Sequence, residues 1–192
     1  MIKTAMVICL ASLLAACATP SPLEFNPDTV MQSKRKFDAE LKTITVKTAP
    51  TNQRTGDVNW FRVENTIGDQ FYQTSTGTGV PITRQWETAL NDALSQSLIF
   101  RDNAQRKISL IVEIQKVEMN GLATVDYDIA ARYRLMDRET GVDAYSKTIE
   151  SHGSAETSEA FVGAVRARLA FVRSVKTNIE QFLADLQTAM LQ

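Results

Sequence analysis

Val125-Asp126-Tyr127-Asp128-Ile129-Ala130-Ala131-Arg132-Tyr133-Arg134-Leu135, written VDYDIAARYRL, alternates apolar and polar side chains almost without interruption. Side chains of a strand point to opposite faces in turn, so Val125, Tyr127, Ile129, Ala131, Tyr133 and Leu135 read as one buried face. Asp126, Asp128, Arg132 and Arg134 read as the other face, together with Glu113 and Gln115 of the preceding strand. In that strand Ile108, Leu110, Val112 and Ile114 share one parity, while Val117 and Met119 take the opposite one, which predicts a bulge near Gln115 or burial on both sides. Asn120-Gly121 between the two strands predicts a hairpin, because both residues tolerate the positive φ of a type I′ turn. Downstream, Asp137 to Gly141 reads as a turn and Val142 to Glu150 as a weaker third strand nearer an edge.

Two helices flank this hairpin in the sequence. Pro81-Ile82-Thr83 opens the first, with Thr83 as its cap, and Trp86, Leu90, Ala93, Leu94 and Ser97 recur down one face to an end near Phe100. The second runs from about Ser154 or Thr157 to Leu191. Phe161, Val165, Leu169, Val172, Val175, Ile179, Leu183, Leu186 and Met190 form its apolar stripe, and Phe171 falls off it. Arg168 and Lys176 lie within the stripe, where they snorkel from its edge or pair with a carboxylate. A further strand centres on Ile44 to Val46, with Leu41 out of step. The order strand, helix, hairpin, strand, long helix predicts an α+β two-layer sandwich: a mostly antiparallel sheet with two helices on one face, the C-terminal one long. Residues 50 to 80 are harder to read. Val58 to Val63 and Gln70 to Tyr72 suggest short strands, and Trp60, Phe61, Phe71 and Tyr72 fit either a small extra core or a binding surface.

The N-terminus predicts an address. Lys3 and the apolar run Ala5 to Ala16 have the form of a secretory signal, too short to span a membrane, giving a cleaved segment 1–16. Leu14-Ala15-Ala16-Cys17 resembles the bacterial lipobox, in which the cysteine is acylated before cleavage; the competing reading is an incidental cysteine beside an ordinary cleavage site. On the lipobox reading Cys17 becomes the first residue and carries lipid, palmitate included, each buried methylene contributing about 0.8 kcal/mol to anchoring. Cys9 leaves with the signal, so no thiol remains for a disulfide or a cysteine metal site. The proline-punctuated stretch that follows predicts a tether over 17–40, ahead of a single domain over 41–192. Within it Ser33-Lys34-Arg35-Lys36 is a basic cluster that either touches anionic head groups or is simply solvated.

The sequence offers little chemistry. With 21 basic and 22 acidic residues the formal charge is −1, which argues against nucleic acid as a partner. Thr74-Ser-Thr-Gly-Thr-Gly79 lacks the Lys and Ser or Thr that a phosphate loop needs after its second glycine, and reads as a turn. His152 is the only histidine, so no histidine metal cluster exists and any catalytic triad would have to use it. It falls in Ser151-His152-Gly153-Ser154, at the expected strand-to-helix turn, without a nucleophile-elbow pattern around it. Asp126 and Asp128 share a strand face but lack an apolar pocket to split their pKa values. No catalytic residue, cofactor or metal is therefore expected.

The lipobox, the helix ending in Ser97-Leu98-Ile99-Phe100, the strands through Val125 to Ile129, the Asp137 to Gly141 turn and the closing helix resemble small outer-membrane lipoproteins of the YajG-like and ABC-transport auxiliary type. The resemblance covers the anchor and residues 84 to 190. It implies a two-layer α/β domain on a lipid anchor, with an accessory role in envelope transport or assembly. In families with this signal an Asp after the cysteine holds the protein at the inner membrane; Ala18 stands there, which implies the periplasmic face of the outer membrane. The expected protein is a non-enzymatic, lipid-anchored periplasmic binding protein with an envelope partner, protein or lipid carrier. The alternatives are a structural lipoprotein that self-assembles through a sheet edge or Phe171, and a lipid-anchored hydrolase using His152.

Overall fold

The computed structural model describes residues 23–56 and 81–190. It contains β1 (Glu40–Thr48), a short 3-10 turn (Thr51–Gln53), α1 (Ile82–Ser97), β2 (Lys107–Asn120), β3 (Val125–Asp137), β4 (Asp143–Ala155) and α2 (Gly163–Thr188). The strands lie in the order β1-β2-β3-β4, with β1 parallel to β2 and the other pairs antiparallel. Phe25 lies against both Trp86 of α1 and Phe171 of α2, so both helices cover the same sheet face. The expected α+β class, with a long closing helix, is the one observed. The strands proposed between 58 and 72, their aromatic residues and the Thr74–Gly79 turn lie outside the described residues.

Period-two patterning places the central strands as expected. Tyr127, Ile129, Ala131, Tyr133 and Leu135 are all buried against the helices, as are Ile108, Leu110, Val112 and Ile114. The β2–β3 register slips between Ile114 and Lys116, which puts the bulge at Gln115 and lets Val117 join the core. A second slip, between Leu41 and Thr43, accounts for Leu41 being out of step in β1. The hairpin forms at Asn120-Gly121, but only Gly121 has positive φ, at 81°, and four residues separate the strands, so the turn is not the two-residue type I′ expected.

Four other expectations are corrected. Leu23 and Phe25 are buried in the core, so the stretch expected to be tether is part of the fold from residue 23 onward. Helix α1 starts on Pro81 without a side-chain cap, and Thr83 lies inside it; its apolar face is the one expected. β4 continues through Ser151, His152 and Gly153 to Ala155, where a turn was expected. Helix α2 spans only Gly163–Thr188, so Phe161 and Met190 fall outside it; Val175, Ile179, Leu183 and Leu186 are buried as expected, but the inner face is rotated to take in Phe171, Ser174, Asn178 and Phe182, while Val165 is exposed and Leu169 and Val172 are only partly buried.

The rotation of α2 has a polar cause. Ser174 and Asn178 are completely buried on its inner face. The Asn178 amide donates to the Ile149 carbonyl and the Ser151 hydroxyl, both at 3.0 Å, and its oxygen accepts from the Tyr133 hydroxyl at 2.8 Å. Burial pushes the Tyr133 hydroxyl well above its ordinary pKa, so it stays a donor. Gly153 admits the helix backbone: a Cβ there would stand 2.2 Å from the Ala170 carbonyl oxygen and 2.3 Å from the Ser174 nitrogen.

Gly153→Ala should therefore push α2 off β4 and cost roughly 3 kcal/mol in urea unfolding. Asn178→Ala strips the Tyr133 hydroxyl and the Ile149 carbonyl of a partner and should cost about as much. Because both loosen one contact, the double variant should fall short of the sum.

Candidate functional site

Cys17, the expected lipidation site, lies outside the described residues. The chain enters the fold at Leu23, whose N–H donates to the Gln85 side chain at 2.9 Å, in the first turns of α1. From there Phe25 packs on Phe171, Asp28 pairs with Lys176 at 2.6 Å, and Ser33 donates to the Ser97 carbonyl at 2.7 Å. The N-terminal chain thus runs in the same direction as α1, from the start of the helix to its C-terminal end. Lys176, one of the two cations in the predicted stripe, pairs with a carboxylate; burial lowers the pKa of the other, Arg168.

His152 sits on the outer face of β4, opposite Asp128 of β3. Its Nδ1 is 2.9 Å from Asp128 and its Nε2 3.5 Å from Asp126, and all three side chains are well exposed to solvent. A catalytic triad needs one ring nitrogen on a carboxylate and the other on a nucleophile. Here both nitrogens face carboxylates. The neighbouring Ser151 points to the opposite face, where it bonds Asn178. The cluster is a polar contact of the outer face in which both ring nitrogens meet carboxylates rather than a hydroxyl. Among the described residues no group of three or more His, Cys, Asp or Glu side chains is arranged to hold a metal ion.

The outer sheet face is less open than the alternation implies. Glu113 and Gln115 are buried, because the chain after β1 turns back over them. The Gln115 amide donates to the Gln53 carbonyl at 3.1 Å, and the Thr55 N–H donates to the Gln115 carbonyl. Glu113 lies 3.3 Å from Lys47 and 3.8 Å from Arg134, and Arg134 holds Asp143 with two bonds at 2.8 and 3.1 Å. At the far end, the Arg106 guanidinium and the N–H groups of Thr140 and Glu139 hold the Asp137 carboxyl below the usual range.

The two sheet edges differ. Helix α2 covers β4 through the Asn178 bond to the Ile149 carbonyl and Ser174 beside the Ser151 carbonyl. The β1 edge is stopped at one point, where Glu87 of α1 accepts from the Val46 N–H at 2.9 Å and is held by Arg84 at 2.8 Å. Leu41, Lys42, Thr43, Ile44, Arg84 and Asn91 line a shallow groove beside that edge. Nothing in the spacing of Glu87 within its helix distinguishes it from a solvated residue. Its role appears only once α1 lies along β1.

The end of the domain that carries the β2–β3 loop and the start of α2 is apolar. Buried Arg166 ties these parts together, donating to the carbonyls of Ala160, Phe161 and Leu122 at 2.7 to 2.8 Å. Thr157 adds a bond to the Ala123 carbonyl at 2.7 Å. Leu122 and Phe161, held this way, are 89% and 90% exposed, with Val162 at 58% and Val165 at 44% beside them.

Glu159 steadies this end. The Arg173 guanidinium, helped by the Glu156 N–H, brings its carboxyl pKa down to about 2. A lowered carboxylate pKa stabilises the fold above the unfolded value and loses that contribution as pH falls through the folded one. Wild type should thus melt above Glu159→Gln near neutrality, and the two melting temperatures should converge between about pH 4.5 and about pH 2.

No family model matches the chain, and no curated protein does. Solved structures are similar in fold. A protein of the DUF330 family from Xanthomonas campestris is 12% identical with a TM-score of 0.50, covering 88% of this chain and 91% of its own. A minor lipoprotein from Acinetobacter baumannii is 14% identical with a TM-score of 0.44, covering 77% and 93%. A lipoprotein candidate from Caulobacter crescentus is 13% identical with a TM-score of 0.43, covering 54% and 78%.

Proposed function

We propose that the chain is a lipid-anchored envelope lipoprotein whose α+β domain acts by binding, without catalysis, at the periplasmic face of the outer membrane. The observation that carries the reading is Leu14-Ala15-Ala16-Cys17 behind a short apolar run. The fold shared with the Xanthomonas campestris protein is compatible with it and adds no activity. No helix among the described residues is long and apolar enough to cross a membrane, so on this reading attachment comes from lipid. The residue after the cysteine, Ala18, favours the outer membrane.

Core burial from Leu23 onward changes how such an anchor would work. Only five residues, six Cα steps, separate Cys17 from Leu23, a reach of about 20 Å when fully extended. The domain is then held close to the membrane rather than on a long leash, and its partner is one found at that surface: an envelope protein or a lipid carrier in transport or assembly. The hydrolase reading is weakened by His152, since both ring nitrogens face carboxylates. Self-assembly through β4 is weakened by α2 lying on that edge, and through Phe171 by its burial. The β1 edge is what remains to such an assembly.

Labelling of cells with radioactive palmitate tests the anchor. Wild type should incorporate label and fractionate with the outer membrane, and Cys17→Ala should do neither. A Cys17→Ala protein that still fractionated with the outer membrane would remove the basis of the proposal.

A further inference from the structure

We propose that the apolar end formed by Leu122, Phe161, Val162 and Val165 rests on the bilayer surface beside the lipid anchor and fixes the orientation of the domain. The inference rests on the lipid anchor proposed above. Its physical basis is separate: where the chain enters the fold, and what lies exposed at that end.

The entry point follows from topology. β1 and β2 are parallel, and α1 connects them, so α1 begins at the end of the sheet where both strands finish. Glu87, near the start of α1, reaching Val46, near the end of β1, agrees. Strand β2 finishes at Asn120, beside the loop that carries Leu122, and β4 finishes at Ala155, ahead of Phe161. Leu23 is bonded to Gln85 at the start of α1. The N-terminal chain therefore leaves the fold at the same end as the apolar residues. Toward its N-terminus it also tracks α2 in that direction, with Asp28 against Lys176 and Phe25 against Phe171.

The exposed residues form a built surface. Arg166 and Thr157 fix the backbone of the 121–124 loop to that of 157–161, so Leu122 and Phe161 are presented together. Phe161 and Val162 stand just before α2 and Val165 lies in its first turn, and all three are exposed beside Leu122. Large exposed apolar side chains grouped in this way mark a contact surface. A lipid about 20 Å or less away along the chain brings the bilayer within reach of them. Glu156 is exposed near these residues and Glu159 is neutralised by Arg173, so the contact is apolar and not driven by anionic head groups. Such insertion into the boundary of head groups and acyl chains is the mode of interfacial elements.

The acylated protein in phosphatidylethanolamine/phosphatidylglycerol vesicles provides the test. Once Cys9 is removed and Cys17 acylated, an introduced cysteine is the only reactive thiol. A bimane on Phe161→Cys should be quenched at least threefold more by shallow brominated lipid than one on Glu139→Cys, in the turn at the opposite end, and 0.5 M salt should leave the quenching unchanged. Equal quenching at the two sites in vesicle-bound protein overturns the proposal. So does a concentration-dependent dimer mass of the unacylated protein that is lost in Phe161→Asp, because a second copy would then be the occupant. The unacylated Cys17→Ala protein isolates the tip from the anchor: its weak vesicle sedimentation should fall severalfold in Leu122→Asp/Phe161→Asp, with the melting temperature retained. If wild type proves not to be acylated, the anchor reading fails, and this last comparison still decides whether the tip binds lipid.

Discussion

The carboxamide of Asn178 sets the position of everything that α2 carries. It is buried, and its bonds to Ile149, Ser151 and Tyr133 allow one rotation of the helix about its axis. A buried amide without partners costs about 1–3 kcal/mol, more than most apolar contacts on the same face could restore by turning the helix. With Asn178 fixed, Phe182 stacks on Tyr133 at 4.1 Å and Phe171 meets Tyr127 at 5.3 Å. The same rotation turns Val165 outward. The packing of α2 on the core thus follows from one polar contact, and Gly153 is the residue that lets the helix come close enough to make it.

This explains which parts of the fold were legible in the sequence. The strands were, because burial on one face imposes a strict two-residue period and a bulge leaves a parity change, as at Gln115 and Leu41. The face of α1 was, since its inner positions are apolar or small. The phase of α2 was legible only in part: Val175, Ile179, Leu183 and Leu186 are buried as expected, but the inner face also includes Arg166, Ser174 and Asn178, and counting apolar residues at helical spacing pulls the stripe away from them. Their partners are main-chain carbonyls on β4 and in loops, which no periodicity reveals. Gly153 was misread for a related reason. A glycine after Ser151-His152 looks like a turn, whereas here it serves a close approach inside a strand. The Asp126–His152–Asp128 contact then follows from the extended register of β4, out of reach of any local reading.

The N-terminal stretch shows how composition can mislead. Three prolines between Ala18 and Asn26–Pro27 gave it the character of a spacer, yet Leu23 and Phe25 enter the core and Gln85 holds the backbone there. Extended chain that donates only two large side chains to a core carries no period, so it cannot be told from a tether without the surface that receives it. That surface is Trp86 and Phe171, one from each helix. The segment therefore also joins α1 to α2, which otherwise touch little.

Orientation decides which surfaces a partner could use. If the lipid and the apolar end both lie at the membrane as proposed, the Asp137–Gly141 turn and the Arg106 contact to Asp137 point away from it, and the sheet edges face sideways. Along β4, α2 occupies main-chain carbonyls with Asn178 and Ser174, which leaves poor terms for an added strand. Along β1, Glu87 occupies only the Val46 N–H. A partner strand would thus find backbone groups on the earlier part of β1, next to the groove of Leu41, Ile44 and Asn91, and would be stopped by Glu87 before reaching the membrane end. The carboxylate works as an end-stop: a pairing strand that ran further would have to displace a charge-assisted bond that Arg84 holds in place.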